Sequence, residues 1–506
     1  MDIDSPEGRS ISAQEAALIT AFGVLIAIGI LLRFWRLGED GLWYDELWTV
    51  VGAGQPFPEM VREWILADPH PPGYFLFYFA WLRLTPDNDF WLRLPNAVAG
   101  VLTVTYLLFG TRRVLSRDER VYAATLASFS WLYVFYAVNV KQYSATLLLT
   151  TVATVAYLEV VTHSHVTRRT ALQLGAALIG LAYLDHFGMA YAWLLLGLLA
   201  ITFRRTPAVL RPIGRIGVIF ALAYLPIAYL LRVPLLYSGN DEQSGLGTLL
   251  ADLMPSLFFD DIGVVAGSLA ALGAGFAIST VRGQETGRAL RSTRNAHTLG
   301  VFASFAALLL AVGLLEPILV VRYFIVLFPV ALLGLAILTA AVVPLGRGWM
   351  ALLPILFFTR AAVVDVRAVD RMQRQAWDES VDLVLAAVQP GDDVYALGAG
   401  PDQTMLAHLR AGNVDGAVYS KNADYYRYYF RRRGANDIAA RLKVVEPTVA
   451  SAGELVRRYQ HTGSTVYVLA GHHIQFDADA AWALEQAAIG FETTWLYSTI
   501  VYQATF

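Results

Sequence analysis

Long apolar runs recur along the first 364 residues, and this feature constrains the fold more than any other. A helix needs ~20 apolar residues to cross a bilayer, and the runs correspond to about 11 such helices, in a range of roughly 10 to 13. They are Ala16–Trp35, Leu94–Gly110, Val121–Val138, Tyr143–Val161, Ala171–Leu184, Phe187–Phe203, Ile216–Leu231, Ile262–Val281, Leu299–Leu315, Ile318–Val343 and Trp349–Val364.

Composition supports the same class of protein. The chain is 56% hydrophobic with a mean hydropathy of +0.50, whereas soluble domains are ~45–50% apolar. The net charge of -3 does not indicate a nucleic-acid partner. Because the chain has no cysteine, disulfides, thiolate metal sites and a cysteine nucleophile are excluded. The sequence therefore predicts a polytopic α-helical membrane protein.

Arginines predict the orientation of the chain in the cytoplasmic membrane. They cluster in alternate connections, at 112–120, 168–169, 204–215, 282–294 and Arg347. By the positive-inside rule these connections are cytoplasmic. The N-terminus is then inside, and residues 37–93 and everything after Val364 are outside. No basic n-region or cleavage site for a signal peptide is apparent, so we expect the first span to be retained.

The external loop 37–93 carries an acidic pair and an aromatic segment. Asp45-Glu46 follows the first span, and carboxylates close to hydrocarbon are costly unless they are paired, hydrated or used. The segment His70–Leu82 is too short to cross the membrane. Its Tyr, Phe and Trp content favours a helix at the membrane interface. We assign this loop, with residues 1–364, to one catalytic membrane domain.

Residues 365–506 are predicted to form a small soluble α/β domain outside the membrane. Its predicted elements are a helix with Trp377, Val381, Val384 and Val388 on one face, strands at Val394–Leu397, Ser464–Ala470 and Thr494–Tyr502, and a helix at Ala480–Ala488. The run from Tyr425 to Arg433 is either a basic amphipathic helix on the domain surface or a contact for lipid headgroups or glycan.

The order of these motifs resembles a known family. Asp45-Glu46, His70-Pro71-Pro72 and Leu92-Arg93-Leu94-Pro95, separated by an aromatic helix, are similar to motifs of GT-C glycosyltransferases that use polyprenyl-phosphate sugars. The similarity is to bacterial relatives of protein O-mannosyltransferases and lipid A aminoarabinose transferases, and it extends from about Ala16 to Val343. In a stretch where the family usually has Glu and Arg, this chain has Asn139 and Lys141.

Sugar transfer from a lipid phosphate needs a base for the acceptor hydroxyl and cations for the departing phosphate. We assign Asp45 as the base, with Glu46 tuning it or orienting the acceptor. Arg322, beside Tyr323, is the leading phosphate clamp, and Lys141 is a second point charge. Both basic residues also have a purely structural explanation. Arg322 can snorkel at a span end, and Lys141 can be an ordinary interfacial lysine.

Further candidates for substrate binding are His70, Asp185, His186 and Asn139. His70 can equally cap the interfacial helix, and Asp185-His186 can be a simple turn. Asp260-Asp261 can hold a divalent cation or the acceptor, but a polar boundary explains the pair as well, so no cofactor and no metal site are predicted. The paired His472-His473 is no metal site, because adjacent residues in a strand point to opposite faces.

These features predict an inverting glycosyltransferase that moves a sugar from a polyprenyl-phosphate carrier to a glycan, lipid or protein acceptor at the outer face of the membrane. Inversion is implied by the resemblance and by a single displacement with one base. A secondary transporter and a non-catalytic glycan-binding protein remain as alternatives. A transporter predicts ionisable residues in the middle of spans, whereas the acids here cluster at predicted outer span ends.

Overall fold

The computed structural model describes residues 13–68, 70–230, 293–315, 325–345, 360, 363, 376–398, 421–471, 475–496 and 499–506. The chain divides into two compact units. One contains residues 1–35, 94–226 and 240–371 and is called the helical unit here. The other contains residues 36–93, 227–239 and 372–506 and is called the mixed unit.

The first two thirds of the described chain are helical. Two π-helical segments, Met60–Ile65 and Tyr106–Gly110, lie between α-helices of this region. The α-helices are α1 Ala13–Leu32, α2 Tyr44–Gly54, α3 Phe57–Glu59, α4 Gly73–Trp81, α5 Asp89–Thr105, α6 Arg117–Phe129, α7 Trp131–Ala137, α8 Tyr143–His163, α9 Arg168–Leu184, α10 His186–Thr202, α11 Pro207–Leu230, α12 Thr293–Leu315 and α13 Phe328–Val342.

Four of the described helical segments are long and apolar enough to cross a membrane, which agrees with the predicted membrane class. They are Ala13–Leu32, Asp89–Gly110, Tyr143–His163 and Pro207–Ala228, and shorter apolar helices lie at His186–Thr202 and Ile325–Ala341. The predicted span Ile262–Val281 lies outside the described residues, as do the start of Ile318–Val343 and all of Trp349–Val364 except residues 360 and 363.

One predicted span is interrupted. The run Val121–Val138 is divided between α6 and α7, because Ser130 between them has an extended backbone conformation (φ -67°, ψ 120°). At 1.5 Å per residue, the 13 residues of α6 extend ~20 Å, which is short of the ~30 Å hydrocarbon core. Apolar composition alone does not show such a break.

Polar contacts fix the ends of the helices in the helical unit. Ser116 caps α6 by accepting the N–H of Glu119, and the Glu119 carboxylate accepts the N–H of Ser116 at 2.7 Å. The same carboxylate forms a bidentate pair with Arg294 at 2.7 and 2.8 Å. This pair attaches the start of α6 to the start of α12.

The C-terminal part of the mixed unit combines helices with one sheet. Its elements are α14 Trp377–Ala387, β1 Asp393–Leu397, α15 Asn422–Arg432, α16 Asn436–Arg441, β2 Lys443–Val445, α17 Val449–Tyr459, β3 Thr465–Ala470, α18 Ala478–Ala487, β4 Gly490–Leu496 and β5 Thr499–Thr505. The strand order is β2-β1-β3-β5-β4. Strands β2, β1 and β3 are parallel, and β5 pairs antiparallel with β3 and β4.

The predicted α/β character is confirmed, but one strand was predicted wrongly. The run Thr494–Tyr502 spans two strands, because β4 ends at Leu496 and β5 begins at Thr499. The two pair with each other, with Leu496 opposite Thr499. The residues of both strands favour β structure, and the sequence between them has no Gly or Pro that would separate them.

Helix α15 joins the loop 37–93 to the sheet region within the mixed unit. Its apolar face is buried, and Tyr425 contacts both Trp377 of α14 (5.4 Å between ring centroids) and Tyr44 of α2 (5.5 Å). The hydroxyl of Tyr429 accepts the backbone N–H of Leu42 at 2.8 Å. At Gly41 an added Cβ would meet the Asp378 carboxylate at 2.5 Å, so a larger residue there would displace that side chain. The acidic pair therefore lies in the same compact unit as the C-terminal sheet.

Candidate functional site

Glu46 is held in a fully buried ion pair. Arg93 donates from Nε to Oε1 (3.0 Å) and from Nη2 to Oε2 (2.8 Å), and neither side chain has any exposed surface. Oε2 also accepts the N–H of Trp43 at 3.1 Å, and Arg93 donates further to the carbonyl oxygens of Asp40 and Gly41. Both carboxylate oxygens of Glu46 are thus used to fix the start of α2.

Asp45, the neighbouring residue, has a different environment. Its side chain is half-buried, and its carboxylate has no hydrogen bond or ion pair with any residue that the structure describes. It lies in the first turn of α2, where the helix dipole favours a negative charge. Burial raises the pKa of the Tyr425 hydroxyl well above its usual value, and the charge of Asp45 acts in the same direction. Of the two acids, Asp45 is the one whose carboxylate remains available.

His70 is held by a buried carboxylate. Oδ1 of Asp68 accepts the backbone N–H of His70 and lies 2.7 Å from its Nδ1, and Oδ2 accepts the indole N–H of Trp48. With Asp68 charged, Nδ1 carries the proton and Nε2 is left as the second functional nitrogen. Capping of the interfacial helix by His70, the alternative above, is wrong: the N-cap of α4 is Pro72, with no side-chain cap.

The candidates in the helical unit are largely buried. Asp185 is the N-cap of α10, and its Oδ1 accepts the N–H of Gly188 at 2.9 Å. The adjacent His186 is half-buried. The Asn139 side chain donates to the carbonyl of Phe135 at 2.8 Å. Lys141 is buried, and its ammonium contacts no carboxylate in the described ranges.

The other predicted residues fall outside the described part of the chain. These are Arg322 and Tyr323, the predicted phosphate clamp, and the pairs Asp260-Asp261 and His472-His473. Within the described residues, no group of three or more His, Cys, Asp or Glu side chains could hold a metal ion.

Two residues of the mixed unit that hold predicted site residues were missed by the sequence analysis. Arg93 appeared there only as part of a motif, and Asp68 was not considered. Asp68 lies two residues before His70, a short spacing that can indicate a carboxylate–imidazole pair. Glu46, the partner of Arg93, is distant in sequence, and a single sequence gives no signal for such a pair.

A cleft of about 720 Å³ lies at the other end of α2. Its arginines are Arg83, Arg427, Arg431 and Arg432. Arg427 pairs with Asp424 (3.0 Å) and Arg432 with Asp89 (2.8 Å). Arg83 donates to the carbonyl oxygens of Phe79, Gln55 and Ala53, and no carboxylate among the described side chains pairs with Arg83 or Arg431.

Comparison with known proteins identifies the fold. Residues 69–229 match the family described as dolichyl-phosphate-mannose-protein mannosyltransferase. The chain is similar to ArnT from Cupriavidus metallidurans in the apo state, with 11% identity, a TM-score of 0.59 and coverage of 95% of this chain and 97% of that chain. The same protein bound to undecaprenyl phosphate gives 12% identity, a TM-score of 0.56 and the same coverage. No curated protein matches the sequence.

These matches confirm the predicted resemblance to GT-C glycosyltransferases, and they point to an enzyme of that class. At 11–12% identity the structural likeness concerns the fold. The matched family segment includes His70 and the aromatic helix α4 and begins after the acidic pair.

Proposed function

We propose that this protein transfers a sugar from a polyprenyl-phosphate donor to a hydroxyl group of an acceptor, with Asp45 as the general base. The observation that carries the proposal is the contrast between the two adjacent acids. Glu46 is fully engaged by Arg93, whereas Asp45 is half-buried and has no partner among the described residues. A base must have such an available carboxylate within reach of the proton that it takes.

The reaction is a single displacement. Asp45 takes the proton of the acceptor hydroxyl as that oxygen forms a bond with the anomeric carbon. The bond from this carbon to the phosphate oxygen breaks, and the phosphate leaves with the electron pair as polyprenyl phosphate. Attack opposite the leaving group inverts the anomeric configuration. The ArnT complex with undecaprenyl phosphate supports a lipid phosphate as the leaving group.

Other residues hold the two substrates in this proposal. Arg322, Tyr323 and Lys141 bind the donor phosphate, and the buried ammonium of Lys141 supports its share of that role. His70, oriented by Asp68, contacts a substrate near Asp45. Asn139, Asp185 and His186 are also proposed to bind substrate. The reaction takes place at the outer face of the cytoplasmic membrane, as the arginine distribution predicts.

The cleft at the far end of α2 is the proposed location for part of the acceptor. Its volume lies within the usual range of ligand sites, ~300–1,000 Å³. Arg83 and Arg431, which no described carboxylate neutralises, favour an acceptor that carries phosphate or carboxylate groups. The acids and Tyr428 in the same cleft can bind sugar hydroxyls.

The direct test uses purified protein in proteoliposomes with a radiolabelled undecaprenyl-phosphate sugar. We expect acceptor-dependent release of free undecaprenyl phosphate and transfer of the label to the acceptor. Movement of intact donor across the membrane without release would indicate a transporter. Binding of glycan without either event would indicate a non-catalytic protein.

A further inference from the structure

Lysine is rare in this chain, and its three copies have different environments. Lys+Arg total 38, and Lys141, Lys421 and Lys443 are the lysines. Lys443 has an ordinary partner, because its Nζ lies 2.6 Å from Oδ2 of Asp393. Lys421 is only 8% exposed, and no carboxylate or hydrogen-bond acceptor in the described chain contacts its ammonium. The contact that its Nζ makes is with the ring of Trp64, 4.7 Å from the centroid.

The contact with the Trp64 ring does not fully compensate the Lys421 ammonium for its burial. A cation–π contact offsets only part of the cost of removing a charge from water. Buried charges in proteins are normally paired, and among the described residues Lys421 has no negative group beside it. Lys443 also lies against a ring, that of Tyr395 at 5.3 Å, but has Asp393 as well. Within the described chain, the difference between the two lysines is therefore the carboxylate partner.

Lys421 lies beside the face of α2 that carries Asp45. Trp64, under the ammonium, packs against Trp48 at 4.9 Å between ring centroids. Trp48 donates to Asp68, the carboxylate that holds His70. Trp48 and Asp45 are three residues apart on α2, which places them on the same side of that helix.

A second contact between the two helices fixes how they are aligned. Tyr425 follows Lys421 by one helical turn and contacts Tyr44, which precedes Trp48 by one turn. Through Trp64, which packs on Trp48 and also lies against Gly52, Lys421 is placed beside the middle of α2, and Tyr425 lies beside its first residue, Tyr44. The Tyr425 side chain is fully buried beside Tyr44.

We infer that Lys421, at the N-cap of α15, binds a substrate phosphate near the face of α2 that carries Asp45. The first N–H groups of α15 add to this site, because a helix N-terminus favours anions. The inference rests on the proposed function in assigning the phosphate to a substrate of sugar transfer. The phosphate belongs either to the polyprenyl-phosphate donor or to a phosphorylated acceptor, and the two sources are separable by experiment.

The test measures phosphate binding without any sugar transfer. Full-length protein in phosphatidylcholine nanodiscs is titrated with undecaprenyl phosphate and, separately, with glucosamine 6-phosphate. Lys421→Met keeps the apolar stem and removes the charge, Lys421→Arg restores a cation, and Lys443→Met is the matched control. We expect Lys421→Met to weaken binding of one ligand at least tenfold, Lys421→Arg to recover most of it, and Lys443→Met to change it less than twofold.

The two arms identify the source of the phosphate. Loss confined to undecaprenyl phosphate assigns the site to the donor, and loss confined to the sugar phosphate assigns it to the acceptor. Unchanged binding of both ligands by a folded Lys421→Met variant would overturn the inference.

A second measurement needs no variant. Acetylation of wild-type protein, read by mass spectrometry, should show Lys421 protected by the bound ligand and Lys443 modified equally with and without it. Modification of Lys421 in the ligand-free protein that persists unchanged at saturating amounts of both ligands would also overturn the inference. Because both readouts report binding, the site can stand even if the transfer assay fails, and the reverse also holds.

Discussion

Charged residues on two sides of helix α2 have opposite environments. On one side, Glu46 and Arg93 neutralise each other in a fully buried, bidentate pair that fixes the start of the helix. On the other side, the Asp45 carboxylate and the Lys421 ammonium have no ionic partner among the described residues. The paired charges stabilise the fold, and we propose that the charges without a described partner bind or activate substrate. Adjacent residues can therefore have entirely different roles.

The largest expected effect comes from breaking the buried Glu46–Arg93 ion pair. Glu46→Gln leaves the Arg93 guanidinium buried without a counter-charge, which costs about 3–5 kcal/mol in similar pairs. We expect a strong fall in thermal stability of the detergent-solubilised protein. The double variant Glu46→Leu with Arg93→Met removes both charges and should recover much of that loss. A stability of Glu46→Gln equal to that of wild type would show that the pair does not hold α2.

A smaller effect is expected from removing the carboxylate that orients His70. Asp68→Asn removes the charge-assisted hydrogen bond to His70, and His70 then loses part of its fixed orientation. We expect transfer to fall roughly tenfold, with little change in thermal stability. Trp48→Phe, which removes the other donor to Asp68, should give a milder loss of the same kind. Full activity in Asp68→Asn would exclude a role for the oriented imidazole.

The cleft at the far end of α2 extends the comparison, because it also contains arginines without a carboxylate partner among the described residues. Arg431→Ala removes an exposed guanidinium without disturbing a described ion pair. Exposed charges contribute modestly, so we expect KM for an anionic acceptor to rise about threefold at an unchanged kcat. KM for the donor should stay constant. A fall in kcat would place Arg431 in the reaction itself and contradict this assignment.

The smallest effect is expected at the half-buried Asp393–Lys443 pair in the sheet region. Burial tends to raise the pKa of Asp393, but hydrogen bonds from Lys443 and Tyr459 outweigh it and lower that pKa below its usual value. The stabilising contribution of Asp393 is therefore present above pH ~4, the unfolded pKa of an aspartate, and is lost as the pH falls through the folded pKa. Thermal unfolding of Asp393→Asn should differ slightly from wild type at pH 7 and converge with it in acid. A constant difference would show that the ionised form is not involved.

Sequence patterns predicted the elements of this protein better than the partners of its charges. The helix at Trp377 and the strands ending at Leu397 and Ala470 follow from local periodicity, and the structure confirms them. The turn between β4 and β5 and the break at Ser130 were missed, because residues favouring the same conformation continue across both. Local pattern defines an element's interior more firmly than its ends.

The candidate site shows a deeper limit of sequence reasoning. Asp45 and Glu46 are adjacent acids in one motif and look equivalent in the sequence. Their difference depends on Arg93, 47 residues away from Glu46, which pairs with one acid and not the other. The environment of Lys421 likewise depends on Trp64, which belongs to a distant part of the chain. Such roles follow from tertiary contacts, and a single sequence does not specify them.

The central claim is that Asp45 is the base and Glu46 is structural, and one comparison tests it most directly. Asp45→Asn preserves the shape of the side chain and removes its basicity. We expect kcat for acceptor-dependent release of undecaprenyl phosphate to fall by at least ~10²-fold, while thermal stability and undecaprenyl phosphate binding stay at wild-type values. Near-native turnover in a folded Asp45→Asn variant would contradict the account.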